Sequence, residues 1–211
     1  EAISWADYRT LSSAAPDAFD VWACPAGDRG ALYHPTVIEG ARVFVQEEGE
    51  MRWLLVDEID TLEEGVRASG YKTWHPEEAF FEDHFPSFPV VPGVLLMEAL
   101  AQLAGKLIGY SVRRQRGDWP FPILSMMNNV KFRRFVRPGE MVRLEVKLES
   151  LREEMAGVAV RARVDGNVVA QAEQVFVFNA VPLEDPADRA KVEALERAHL
   201  EQLWTDCPES E

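Results

Sequence analysis

The sequence predicts an α+β protein in which a curved antiparallel sheet wraps around one long, enclosed helix. Three observations carry that prediction. Residues 92–112 form a nearly all-apolar stretch opened by Pro92-Gly93. Downstream, Val142, Leu144, Val146 and Leu148 alternate with Arg143, Glu145, Lys147 and Glu149, the period of a strand with one wet face. Asp165-Gly166-Asn167 then separates two further strand-like runs, as a tight hairpin turn does.

Taken in order, residues 1–51 are an extension of mixed character, broken by Pro16, Pro25 and Pro35, with Val43-Phe44-Val45 as one short strand candidate. The chain starts Glu1-Ala2-Ile3 with neither a basic leader nor an apolar signal core, and a reducing cytoplasm is the expected location. Cys24 and Cys207 lie near opposite ends and make neither a disulfide framework nor a metal-ligand cluster. From residue 52 to about 180 the patterning is that of one domain. Trp53 to Ile59 is a strand candidate, Leu62-Glu63-Glu64-Gly65 a turn, and Val66 to Trp74 a second strand.

A Phe- and Pro-rich loop from Pro76 to Pro92 leads into the helix, where Pro in the first turn costs no intrahelical hydrogen bond. Val94, Leu95, Leu96, Met97, Leu100, Leu103, Leu107 and Ile108 leave this helix almost no polar face, so other structure must enclose it. Glu98 and Lys106 interrupt the run, which argues for a core helix and against a membrane span. Val158 to Val164 and Val168 to Phe178 are the strands on either side of the hairpin. Residues 181–211 carry an acidic amphipathic helix over 184–204, with Val192, Leu195, Leu200 and Leu203 on its apolar side.

A formal charge of −14 excludes general nucleic-acid binding, which needs a basic surface. Between Arg113 and Arg137, however, seven basic residues face Asp118 alone. Such a patch suits an acidic or phosphorylated partner, and it equally suits a set of solvated strand-face arginines.

The chemistry concentrates in His84-Phe85-Pro86-Ser87-Phe88-Pro89-Val90-Val91-Pro92-Gly93 and Glu98. A carboxylate in an apolar helix is costly, by several kcal/mol, unless it is paired or protonated, and a protonated carboxyl is what a general acid supplies. Glu98, Gln102 and Lys106 also have the i, i+4, i+8 spacing of a narrow solvated stripe. His84 lies fourteen residues before Glu98 among Phe80, Phe81, Phe85 and Phe88, a setting that suits a neutral imidazole able to accept a proton, although a lone His is commonly structural. The prolines between them stiffen the connection. At Gly93, free N–H groups of a helix start can hold a developing oxyanion. A base, an acid and an oxyanion site are what removal of an α-proton and a β-hydroxyl next to a thioester requires.

The run HFPSFPVVPGVLLMEALAQ resembles the 3-hydroxyacyl-[acyl-carrier-protein] dehydratases, the FabZ/FabA group of hotdog-fold enzymes. Their pattern is a catalytic His in an HFP segment, a Pro-Gly opening the central helix, and an acidic residue fourteen positions after the His. His84, Gly93 and Glu98 match it, and Glu at 98 is similar to the dehydrating FabZ branch. Trp53 to Asp57 resembles the family's first strand. Val130 to Arg134 with Val136 to Glu140 resembles its later strand-turn-strand, so the likeness spans about residues 52–178. Phe121 to Ser125 stands where many members have a gating Tyr.

The resemblance implies a hotdog fold and a homodimer, with His84 of one chain facing Glu98 of the other. His84 would take the α-proton, Glu98 would protonate or orient the departing hydroxyl, and the Gly93 N–H would bind the thioester oxygen. Phe85, Phe88, Val91, Leu95 and Leu96 would line the acyl tunnel, a role that core packing also explains. The implied partner is acyl carrier protein. The substrate would bring its own phosphopantetheine arm, with no further cofactor and no metal. His34, His75 and His199 match no motif and read as structural or surface residues. Two other readings remain at this stage: a hotdog thioesterase and a non-catalytic hotdog subunit that binds acyl carriers.

Overall fold

The computed structural model describes residues 53–117, 119–178, 185–205 and 207. The strand expected at Val43–Val45, together with Cys24 and His34, lies outside them. Strands β1 (Glu58–Glu63), β2 (Arg67–Thr73), β3 (Pro122–Phe132), β4 (Met141–Leu151), β5 (Met155–Val164) and β6 (Asn167–Phe178) make one antiparallel sheet in the order β1-β2-β4-β5-β6-β3. Helix α1 (Phe80–Asp83) is a single turn, α2 (Gly93–Arg116) is the long helix, and α3 (Pro186–Leu203) follows the sheet.

Helix α2 packs against the sheet, and the two together form the hotdog arrangement. Pro92 is its N-cap, and Gly117 ends it in the left-handed region at φ 69°, donating its N–H to Arg113 O at 2.8 Å. Arg113, Arg114 and Arg116 sit in the last turn, where positive charge complements the helix dipole. The helix therefore runs one turn beyond the expected Val112. By length and apolar content it could cross a membrane, but 67% of its most apolar window is buried inside the protein. Leu100, Leu103, Leu107 and Ile108 are fully buried, and each such side chain stabilises the fold by about 1.5–3 kcal/mol.

In the strands the period-two reading holds. Val142, Leu144 and Val146 of β4 and Val158, Val160, Ala162 and Val164 of β5 point into the core. The hairpin turn is Asp165-Gly166, both at positive φ (50° and 77°), as a two-residue primed turn demands, with Val164 paired to Asn167.

The first strand is displaced from its expected place. Trp53 to Asp57 precede β1, and the strand runs from Glu58 to Glu63. Leu55 and Val56 are apolar because they pack into the core cluster around α2, not because they belong to a ladder. The side chain of Gln102 supplies their backbone partner instead: Leu55 donates its N–H to Gln102 Oε1 at 2.8 Å, and Gln102 Nε2 donates to Trp53 O at 2.8 Å. The turn accordingly shifts to Glu64–Val66. The single turn α1 inside the Pro76–Pro92 loop was not expected either.

The acidic helix lies close to its expected place. Asp185 caps it by accepting from Ala187 N–H at 2.8 Å, and Pro186 opens it. Leu200 and Leu203 join the core cluster and Trp204 packs against it, whereas Leu195 faces solvent, contrary to the amphipathic reading.

Candidate active site

His84 closes α1, its backbone N–H donating to Phe80 O at 2.9 Å. Its ring lies against that of Phe85, 4.5 Å between centroids, and Nδ1 is 2.9 Å from the carbonyl oxygen of Val90. A carbonyl can only accept, so in the neutral ring Nδ1 carries the hydrogen and Nε2 presents its lone pair. His84 is half-buried.

The loop that makes this hydrogen bond is pinned at several points. Phe85 takes φ 64°, a left-handed conformation that costs a non-glycine residue about 1–2 kcal/mol, and Phe88 donates its N–H back to Phe85 O at 2.7 Å. The Phe88 ring meets Phe135 edge-on at 5.9 Å and lies 4.9 Å from the Arg137 guanidinium. Val91 donates to Val136 O at 2.8 Å, with its side chain buried. Strain next to His84 thus persists because the surroundings hold it.

At the start of α2 no side chain caps the helix, which leaves first-turn N–H groups open to another acceptor. At Gly93 the chain passes close to the exposed Phe132 ring, which any larger residue would have to displace. A Cβ at this position would lie 2.8 Å from Cε1 and 2.9 Å from Cζ of Phe132. Leu95, half-buried, packs against the core.

Glu98 lines a cavity of about 730 Å³ along α2, with mostly apolar walls from Leu54, Phe121, Ile123, Leu124 and Phe176. Its Oε1 accepts from Gln102 Nε2 at 3.0 Å. The i, i+4, i+8 row is real: Gln102 follows Glu98 along the cavity, and buried Lys106 closes the row in an ion pair with Glu196. The row lines a cavity, which is neither the solvated stripe nor an isolated carboxyl.

His84, Phe85, Val91, Gly93 and Leu95 do not line the Glu98 cavity. Within one chain, then, the expected base and the expected acid occupy different surfaces. Around the His84 loop, large apolar side chains are uncovered: Phe85 at 57%, Val94 at 72% and Phe135 at 67% exposure. Val91 is core, and Phe85 and Phe88 are exposed, so none of these three lines a tunnel within a single chain.

Sequence reasoning missed Gln174. It is fully buried on β6 and donates from Nε2 to Met97 O at 3.0 Å, holding α2 one residue before Glu98. The available signal was a polar residue at an inward position of the strand, between Ala172 and Phe176.

Of the basic residues between 113 and 137, several are locally engaged. Arg113 lies over the Trp119 ring at 5.3 Å, Arg114 is 3.7 Å from Glu64, and Arg116 donates to the carbonyls of Arg152 and Glu153. Arg133 donates to Gln171 and Arg134 to Glu140. Lys131, Arg133 and Arg134 are exposed.

A family model described as a FabA-like domain matches residues 49–173. The chain is 40% identical over 126 residues to the 3-hydroxyacyl-[acyl-carrier-protein] dehydratase FabZ of Syntrophotalea carbinolica, covering 60% of this chain and 84% of that protein. It is 44% identical over 127 residues to the enzyme of the same name from Clostridium botulinum, covering 60% and 85%. Among solved structures, the dehydratase heterocomplex ApeI:P from Xenorhabdus doucetiae superposes with a TM-score of 0.51 at 14% identity, over 62% of this chain and 87% of that one, a likeness of fold.

Proposed function

The chain belongs to the FabA-like family, and we propose that it dehydrates 3-hydroxyacyl thioesters on acyl carrier protein to trans-2-enoyl thioesters, in fatty acid or related acyl-chain synthesis. The relatives named for this reaction support that reading. The observation that carries it is the fixed tautomer of His84, whose Nδ1 is committed to Val90 O.

In this reading Nε2 of His84 removes the α-proton, acidified by the neighbouring thioester carbonyl. The electron pair of that C–H bond forms the Cα=Cβ bond as the Cβ–O bond breaks. Glu98 gives its proton to the departing hydroxyl, which leaves as water. The Gly93 N–H, at the positive end of the α2 dipole, stabilises the oxygen of the enolate-like transition state. No electrons leave the substrate, so the reaction is redox-neutral. The phosphopantetheine arm arrives with the substrate.

A second copy of the chain completes the site. His84 and Glu98 do not share a cavity within one chain, and apolar side chains lie uncovered beside His84. The edge strand β3 also exposes Met126, Met127 and Phe132. A two-fold dimer that covers this edge would place His84 of one protomer against Glu98 of its partner, and would do so twice. Acyl carrier protein, as an acidic partner, would dock on the exposed Lys131, Arg133 and Arg134.

The test is incubation with 3-hydroxyacyl carriers of several lengths, following both the α,β-unsaturated thioester and free thiol. Enoyl product without thiol release supports the reading. Thiol release without enoyl product would replace it with hydrolysis.

A further inference from the structure

The cavity that holds Glu98 is lined in part by a segment of the chain that the family match does not include. The match ends at residue 173, whereas Val192 and Glu196 of α3 line the cavity. Glu196 Oε2 lies 2.6 Å from Lys106 Nζ, and the Lys106 side chain is only 7% exposed. Lys106 and Glu98 stand eight residues apart on α2, about 12 Å along the helix axis. Between them Ala101 and Gly105 present almost no side chain, and Phe121, Ile123, Leu124 and Phe176 supply apolar walls. The cavity is thus a greasy slot with a carboxyl at one end and an ion pair at the other.

Helix α3 is firmly seated over this end. Leu200 and Leu203 are buried in the core, the Trp204 ring meets Tyr110 edge-on at 5.5 Å, and the Arg189 guanidinium lies 5.6 Å from the Phe121 ring.

We propose that α3 ends the acyl channel at the Lys106–Glu196 pair, so that the protein selects acyl chains short enough to stop before it. The inference rests on the dehydratase reading for the identity of the ligand as an acyl thioester. A methyl terminus driven onto the pair would strip its remaining water and offer no polar contact in return, which disfavours longer chains. In apolar pockets a single methylene that does or does not fit changes selectivity by about 10–200-fold, so a fixed end wall produces a sharp cut-off.

Two variants move the wall in opposite directions. Replacing both charges together, Lys106→Met with Glu196→Leu, removes the polar end without leaving one buried charge unpaired. Val192→Trp, on a half-buried face of α3, fills the slot from its side. Affinity would be measured for saturated acyl-pantetheine thioesters of increasing length, alongside turnover of the matching 3-hydroxyacyl thioesters. The expected result is a cut-off in the wild type that moves to longer chains in the double variant and to shorter chains in Val192→Trp. The long-to-short affinity ratio should change by on the order of tenfold in each direction. If both variants kept the wild-type binding profile, the inference would be overturned, whatever the turnover. A cut-off in binding that moves as expected, with no dehydration at any length, would support the channel wall and sink the dehydratase reading instead.

Discussion

Gln102 donates from Nε2 to Glu98 Oε1 at 3.0 Å, and the same nitrogen donates to Trp53 O at 2.8 Å. Its Oε1 accepts the Leu55 N–H at 2.8 Å, which fixes the orientation of the amide, since a flipped group would face that N–H with its own hydrogens. Both amide hydrogens and the oxygen are therefore committed. Glu98 is held by a residue that is itself held by the backbone leading into β1.

Gln102→Leu is expected to cost about 1–3 kcal/mol of stability, because it strands the Leu55 N–H and the Trp53 carbonyl. It is also expected to lower turnover by releasing the Glu98 carboxyl. Thermal unfolding and steady-state kinetics on the same variant measure the two effects. Unchanged turnover would mean that the contact does not position Glu98.

His84→Ala and Glu98→Gln are each expected to lower turnover by on the order of 10²–10⁴-fold, the usual contribution of a positioned base or acid. Neither residue carries the core, so melting temperatures should stay near that of the parent. Wild-type rates from either variant would remove it from the proposed mechanism.

The long helix, the β4–β6 strands and the hairpin were legible because each obeys a single period or a single turn rule. β3 obeys neither. It lies at the sheet edge with apolar residues exposed, and its register shifts between Leu124 and Met126 and again between Asn128 and Lys131, where Asn129 takes φ 53°. Bulges of that kind erase alternation. Trp53 to Val56 misled in the other direction, since their apolar character serves packing on α2 while Gln102 replaces the ladder. As a candidate site, His84, Gly93 and Glu98 were legible through the family resemblance, since spacing alone left a structural His and a solvated stripe open. The end wall of the cavity was not, because it depends on where α3 docks, and no local pattern in residues 184–204 encodes that.

His199, which matches no motif and reads from the sequence as structural or surface, is buried within electrostatic reach of the Lys106–Glu196 pair, and its Nδ1 has no partner among the described residues. Burial, and next the positive charge of Lys106, hold its pKa below the ordinary 6.5, against an upward pull from Glu196. The unfolded chain then takes up this proton at a higher pH than the folded one. Stability is full above about pH 6.5 and falls as the pH drops below it. Melting temperatures between about pH 7.5 and 5 should decline less steeply in His199→Phe than in the wild type. Equal slopes would show that His199 does not contribute.

Reversal of Arg133 and Arg134 to Glu is expected to raise KM for acyl carrier protein substrates at low salt. The effect should fade as salt screens the interaction, with small pantetheine thioesters unaffected. An unchanged KM for the carrier at low salt would rule out docking on this patch.

If two chains share one site, mixing two dead variants reveals it directly. His84→Ala and Glu98→Gln proteins would be combined under conditions that allow subunit exchange. If the His84 of one protomer serves the Glu98 of its partner, every mixed dimer contains one complete site. Random exchange should then restore about a quarter of the wild-type rate. Recovery of no activity above that of the separate variants, with mixed dimers demonstrably formed, would contradict it.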